Sequence, residues 1–384
     1  MAGLWIIIVS FFIAIFAYQI SPDSTPDANE QILELELKPP FYHVDMLHIN
    51  KDKKSISPTP FLKGFFFGKP LPYQQVPILK YSLDGRTATI SLYKGENFEP
   101  ESKTFTYEEI MKEDSVMISP TQILPVQQVV NDERYRSRYH EKIRERIYKA
   151  GIVRKTFWLG SDRFGRDILS RLIIGTRVSL SVGFISVLIS LLIGVTLGAV
   201  AGYFRGATDE AIMWLINVFW SIPTLLLAMG LYVGVGGYID SKLWLIFFAV
   251  GLTMWVEVAR IVRGQIISLR ENEYVLAAKS LGYGHIRTIF RHILPNAMGP
   301  IIVVSCANFA NAILIESGLS YIGLGIQPPA PSWGGMLSEY KSFIDSDKAY
   351  LALWPGCCIM ILVLAFNLLG NGLRDALDVK GKSE

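Results

Sequence analysis

Three cysteines in 384 residues, Cys306, Cys357 and Cys358, leave no basis for a disulfide framework. All three lie inside apolar runs, and the adjacent pair is poorly placed to bridge itself, so they read as packing residues. Histidine is scarce too. His43, His48, His140, His285 and His292 show no zinc-like spacing with cysteine or with one another, and neither a metal site nor a cofactor is expected. Only 18% of the residues are charged and the formal net charge is +3, which removes the broad basic field that nucleic-acid binding needs. A phosphate-binding loop is also lacking. The one Gly-Lys-Ser, at 381–383, has Ala376 where the first glycine of Gly-x-x-x-x-Gly-Lys-Ser/Thr would stand, so the chain is not expected to be an enzyme that hydrolyses ATP.

Apolar residues, by contrast, make up 51% of the chain, and the mean hydropathy is +0.32, which points to a membrane protein. Charge-free windows at 178–204, 211–239, 292–315 and 349–373 each exceed the ~20 residues that cross a hydrocarbon core. A fifth span is expected at 243–262 and a sixth at 4–20. No basic stretch precedes that first segment, it is longer than the ~15 apolar residues of a signal peptide, and no small-x-small site follows. An uncleaved anchor is therefore expected over a cleaved signal. Six spans put both termini on one side. The short loops holding Arg205, the segment 260–291 and the C-terminal tail carry ten Lys/Arg, against Lys242, Lys341 and Lys348 on the other side. The positive-inside rule then predicts 263–296 and both termini in the cytoplasm and 21–175 outside. Glu257 and Arg260, three apart near the cytoplasmic end of their span, suit an intrahelical ion pair and interface anchor better than a proton relay.

Residues 21–157 read as a separate polar region that opens with the linker "SPDSTPDANE". "ILKYSLDGRTATISLY" alternates about Asp84-Gly85, a hairpin signal, and a charged helix is expected at 132–150. The acids and histidines of this region are scattered, so a solvated surface is expected there and no catalytic constellation. The expected fold is an all-α polytopic membrane protein of six transmembrane helices, with a small α+β extracytoplasmic insert between the first and second. Its parts are an anchor at 1–20, the insert at 21–157 and a five-helix transmembrane domain at 158–384 that contains a loop at 263–296.

The most polar part of the C-terminal half is "EYVLAAKSLGYGHIRTIFRHILPN", 273–296. Tyr274, Ala277, Ala278 and Leu281 share one face of a short helix, and Ile286, Ile289, Phe290 and Ile293 repeat the spacing. Ser268 with Glu271 offers a capping box upstream, Gly282 and Gly284 permit a turn, and Pro295 is expected to end the second helix. An apolar strip with two alanines is too shallow to anchor in lipid but lets another backbone approach closely. Both a protein groove and an interfacial cover over the span ends fit that pattern.

Ala-Ala-x-x-x-Gly, nine residues, then His-x-Leu-Pro resembles the cytoplasmic coupling loop of ATP-binding-cassette importer permeases, matched here by Ala277, Ala278, Gly282, His292, Leu294 and Pro295. The chain departs from that pattern at Leu276, where the family usually has an acid; Glu273 lies one helical turn earlier. The resemblance runs over 159–378 and narrows to the dipeptide, oligopeptide and nickel permeases. "GSDRFGRDILSRLIIGTRVSL" (160–180) is similar to that group's lead-in to its second span, with Asp162, Gly165, Arg166 and Asp167 in register, and 308–337 is similarly close. The resemblance implies that Glu273, Tyr274 and the matched residues dock into a separate ATPase subunit. It also implies a multi-pass protein of the bacterial inner membrane that partners two ATPases, a second homologous permease as a heterodimer, and an extracytoplasmic solute-binding protein, with membrane lipid around it and no nucleic acid.

Gly194, Gly198 and Gly202, four apart, make a smooth face for close helix packing. Asn308, Asn311 and Glu316 share a face of the fifth span, where polar groups line either a wet pathway or another helix. For the asparagines a structural hydrogen bond and contact with cargo are both open. Pro328, Pro329 and Pro331 suit a re-entrant or capping loop outside, over the pathway, with Trp333 as an interface anchor. Alternating access driven by ATP in partner subunits is the expected mechanism, with peptides as cargo and nickel as the alternative. An ion-coupled carrier or channel would show inverted repeats or paired broken helices, and neither is visible in the sequence. A membrane-anchored sensor built on 21–157 would leave five spans and the 273–296 motif unused.

Overall fold

The computed structural model describes residues 1–50, 60–83, 87–96, 98–106, 115–119, 122–125 and 151–377. The chain divides into two compact units, Met1–Ala17 with Leu172–Glu384, and Tyr18–Arg171. Residues 158–171, expected with the transmembrane helices, therefore belong to the second unit.

The first unit is helical. It comprises α1 (Ala2–Ile15), α2 (Ile168–Phe204) from Leu172 onward, α3 (Gly206–Trp220), α4 (Thr224–Val235), α5 (Lys242–Leu269), α6 (Glu273–Ser280), α7 (Met298–Tyr321), α8 (Trp333–Tyr340) and α9 (Tyr350–Leu377). Four runs are long and apolar enough to cross a membrane: α2, α5, His285–Tyr321 and α9. The α3–α4 pair makes a fifth if it is counted as one span, and α1 with 14 residues is shorter than the ~20 that a straight crossing needs. The single continuous span expected at 211–239 is broken instead, because α3 and α4 meet at 95°. Pro223 stands at the break; it lacks an N–H and disfavours a helical residue before it.

Packing makes α5 the central helix. In its most apolar window 72% of the residues are buried, against 39% for α2, His285–Tyr321 and α9. Phe247, Val250 and Met254 of α5 meet Val182 of α2, Ala228 of α4 and Ala312 of α7 in one cluster, and Val258, Val262 and Ile266 form a second with Ala199 and Tyr203 of α2. At the other side of the unit α1 lies on α9, where a Cβ on Gly3 would stand 2.6 Å from the Ala365 carbonyl.

The second unit is built on a five-stranded antiparallel sheet in the order β4-β3-β2-β1-β7, with β1 Tyr42–Asn50, β2 Tyr73–Leu83, β3 Thr87–Leu92, β4 Glu101–Thr106 and β7 Ile152–Phe157. Strands β5 (Ser115–Ser119) and β6 (Gln122–Pro125) pair separately. The alternation read in the sequence is present in β3, with Ala88, Ile90 and Leu92 turned inward, but not in β2, where Pro77 and Ile78 are both buried, Leu79 to Ser82 are exposed and the register shifts between Ile78 and Lys80; the Asp84-Gly85 turn itself and the helix expected at 132–150 lie outside the described residues. Ile32, Leu35, Val44, Met46 and Phe157 form the core under β1 and β7. Between β1 and its neighbours, Asp45 pairs with Ile78 on one side and Arg154 on the other.

Candidate functional site

The polar stretch 273–296 begins where α5 ends. Ser268 and Glu271 do not form the expected capping box: Ser268 lies inside α5, and Asn272 precedes α6 with no side-chain cap bond. At the far end of α6 the chain closes in a Schellman turn. Tyr283 N–H donates to the Ala278 carbonyl at 3.1 Å, and Gly282 N–H donates to the Lys279 carbonyl at 2.9 Å. Gly282 takes φ +78°, the left-handed value this turn requires. From Gly284 the path runs through His285–Thr288, a π-helical Ile289–Ile293 and a 3-10 turn Leu294–Ala297, directly into α7. Pro295 does not end the helix. The widened turn before it makes room for its ring and takes up the missing N–H, so His285–Tyr321 forms one helical run of 37 residues.

One face of this elbow is held by the chain's own helices. Val275, Ile289 and Ile293 are buried against Val262 and Ile266 of α5 and Tyr203 of α2. Tyr203 gathers the polar contacts: its hydroxyl lies 3.1 Å from His285 Nδ1, its carbonyl accepts from the Arg270 guanidinium, and Lys279 Nζ stands 5.3 Å from its ring centre. Arg205 and Glu271 add an exposed ion pair at 3.0 Å, a small contribution. His292 is half-buried with its ring stacked on Tyr283, and Leu294 packs beside the same cluster.

The opposite face is open. Tyr274, Leu276, Leu281, Ile286 and Phe290 are exposed, Leu281 and Ile286 by 71% and 75%, and Glu273, Ala277 and Pro295 are exposed with them. Each apolar strip expected as a single face is therefore split. Ala278 is buried at 3% and Ile289 and Ile293 point inward, while Ala277, Ile286 and Phe290 point out. Large apolar groups are thus exposed together on an otherwise polar segment.

The glycines of α2 rest on α5 backbone to backbone. A Cβ on Gly194 would lie 2.7 Å from the Trp255 carbonyl, on Gly198 2.5 Å from that of Ala259, and on Gly202 2.8 Å from that of Arg263. Arg263 also grips Asp209 of α3 with two hydrogen bonds, at 2.5 and 2.6 Å. Sequence reasoning missed that pair, since nothing local links positions 54 residues apart.

A cleft of about 570 Å³ opens between α3, α4, α5 and α7. Asn308 and Asn311 line it together with Trp220, Thr224, Thr253 and Glu257. Asn308 is fully buried and neither atom of its amide has a hydrogen-bond partner among the described residues. Glu316, expected on the same face, is elsewhere: it is buried beneath α8, accepts from Ser320 Oγ at 2.7 Å, and lies where Gly334 of α8 approaches it. Eight residues of helix rotate it away from Asn308. The Glu257–Arg260 ion pair is absent as well. Because α5 continues to Leu269, both residues lie well inside the helix, and the Arg260 guanidinium stacks over the Trp220 ring at 3.2 Å. Trp333 is likewise no interface anchor; it is 4% exposed, donates to the Leu172 carbonyl at 3.0 Å and packs on Gly175.

In the second unit the Asp162–Asp167 motif builds a buried turn. Asp162 accepts from the backbone of Phe164 and Arg166 at 2.8 and 3.0 Å, and from the Arg166 and Arg171 guanidinium groups, each at 2.7 Å. Gly165 takes φ +70° against the Ile32 carbonyl. Asp167 accepts from Ser170 N–H at 2.8 Å and from Ser170 Oγ. Burial pushes the Asp167 carboxyl above the usual carboxylate range, against the pull of those two bonds. Asp162, Gly165 and Arg166 build the turn, while Asp167 holds Ser170 in the first turn of α2 through one oxygen and leaves its Oδ1 without a hydrogen-bond partner among the described residues.

Comparison with known proteins places these features. Residues 194–380 match the family described as binding-protein-dependent transport system inner membrane component. A dipeptide transport system permease protein, DppC, of Alkalihalophilus pseudofirmus is 43% identical over 226 residues, which cover 59% of this chain and 73% of the relative. A glutathione transport system permease protein, GsiD, of Pectobacterium atrosepticum is 42% identical over 59% of this chain and 73% of its own. For an oligopeptide transport system permease protein, OppC, of Bacillus subtilis the figures are 40%, 59% and 72%. With more than two thirds of such relatives matched at this identity, the chain belongs to the binding-protein-dependent inner membrane components, the permease subunits of ATP-binding-cassette importers.

Proposed function

We propose that this permease forms half of a pathway for peptides across the bacterial inner membrane, with its elbow at 273–296 seated in a separate ATPase subunit. The observation that carries this reading is the exposed apolar face of Leu281, Ile286 and Phe290 on an elbow fastened to the helices behind it. The relatives named for dipeptide, glutathione and oligopeptide transport support a peptide as cargo. In this reading α1 and the bent α3–α4 pair complete six spans, both termini and the elbow are cytoplasmic, and the unit Tyr18–Arg171 is extracytoplasmic. Two ATPases, a homologous second permease and an external solute-binding protein complete the assembly.

The elbow joins the two walls of the cleft. It leaves α5, which carries Thr253 and Glu257, and runs without a break into α7, which carries Asn308 and Asn311. Closure of the ATPases would shift the elbow, and the glycine contacts between α2 and α5 would pass that shift on as a rigid-body movement. Coupling of this kind requires that the ATPases hold the two conformations with different strength. The test is uptake by the complete reconstituted transporter. Dipeptide uptake that depends on ATP and on the binding protein is expected; nickel uptake in its place would change the cargo, and ion-driven uptake indifferent to ATP would favour a secondary carrier.

A further inference from the structure

The cleft holds an acid that the elbow mechanism leaves unused. Glu257 lies about 18 Å along α5 from its Leu269 end and about 22 Å from its Lys242 end, at the middle of a membrane-crossing helix. It is exposed, and among the described residues no ion pair reaches it. It lines both the 570 Å³ cleft and a second of about 460 Å³ toward Gly299 and Arg374, so it stands where the two meet. A carboxylate at that depth is costly unless a cation or water meets it. Across the first cleft is Asn308, a buried amide with donor and acceptor both unused, which a ligand with complementary groups would complete. Trp220 also lines the cleft, but its ring already carries the Arg260 guanidinium at 3.2 Å. A carboxylate and a free amide match a primary ammonium followed by a peptide group.

We infer that Glu257 receives the cationic amino group of the cargo during its passage, with Asn308 pairing the neighbouring peptide group. The inference rests on the peptide reading above and adds a residue to it. The second cleft contains Arg374, so an internal Glu257–Arg374 pair formed in another conformation is the competing role for this acid.

The experiment uses the complete transporter with its ATPases and binding protein in liposomes, with dialanine and N-acetyl-dialanine as probes. Glu257→Gln should lower dialanine uptake about ten-fold, the loss of one charge-assisted contact, and shrink the preference for dialanine over its acetylated form. Stimulated ATP hydrolysis should persist, and Glu257→Asp should retain most of the uptake. Unchanged dialanine uptake in Glu257→Gln would overturn the inference. So would restored uptake in the double variant Glu257→Gln with Arg374→Gln, which assigns the acid to an internal pair. A joint fall of uptake and hydrolysis in both Glu257→Gln and Glu257→Asp would make its role structural and overturn the inference too. A native transporter that ignores dialanine overturns the peptide reading itself, a separate and recognisable result.

Discussion

A Cβ on Gly165 would stand 1.8 Å from the Ile32 carbonyl oxygen, at a φ of +70° that side chains rarely adopt. Neither the clash nor the strain can relax without moving backbone. Gly165→Ala is expected to cost at least about 3 kcal/mol, seen as a lowered unfolding temperature, whereas Gly284→Ala, in open space, should stay within about 1 kcal/mol. Asp167 sets a pH dependence of known sign. Its folded carboxyl titrates above the ordinary value, so the folded state binds more protons between the two values. The stability it contributes is complete below the ordinary carboxylate range and is lost as pH rises through the raised value. Asp167→Asn should therefore gain on the native protein in unfolding temperature as the pH is taken from acid to neutral. A gap between the two that stays constant with pH would contradict this. Asp27, also raised by burial, acts with the same sign.

At the scale of elements, the glycine stripe and the elbow are parts of one lever. Gly198→Leu should force α2 off α5 and lower the yield of folded protein, while Gly230→Leu, with nothing near its Cβ, should not. Gly282→Val places a β-branched residue at φ +78° and should cost about 1–2 kcal/mol locally. It should abolish transport while the spans still assemble, checked by uptake beside a thermal melt. The spacing of Gly194, Gly198 and Gly202 is legible along the sequence, but the helix it meets is not, because α5 begins 40 residues after Gly202. For the elbow, periodicity identified two amphipathic pieces and a glycine turn. It could not show which half of each apolar strip faces inward, since a strip exposed to two partners has the same period as a strip buried against one. A cysteine at Ala277 is thus expected to crosslink to a docked ATPase, and a cysteine at the buried Ala278 to do so weakly or not at all; equal labelling would contradict the split.

At the scale of the whole molecule, the exposed side chains of the elbow are where assembly should fail first. Ile286→Glu with Phe290→Glu puts charge at the centre of the proposed contact and leaves the inner cluster of Val275, Ile289 and Ile293 untouched. The variant should insert in the membrane as before and lose co-purification with the ATPases, a desolvation penalty of several kcal/mol for each unpaired charge. Retained assembly would move the contact to another surface.

Membrane class and the chain's lack of an ATP-hydrolysing loop follow from the sequence, because both depend on composition and on short spacings. The importer resemblance was legible for the same reason: Ala277, Ala278, Gly282 and the His-x-Leu-Pro run lie within one local stretch. Only the tertiary structure decided what those residues face. It broke the span at Pro223, carried the helix past Pro295, took Glu316 out of the cleft and brought Glu257 into it. The breaks at the two prolines and the rotation of Glu316 follow the local backbone, but which side chains meet in the cleft is set by how α3, α4, α5 and α7 pack, which no local pattern encodes.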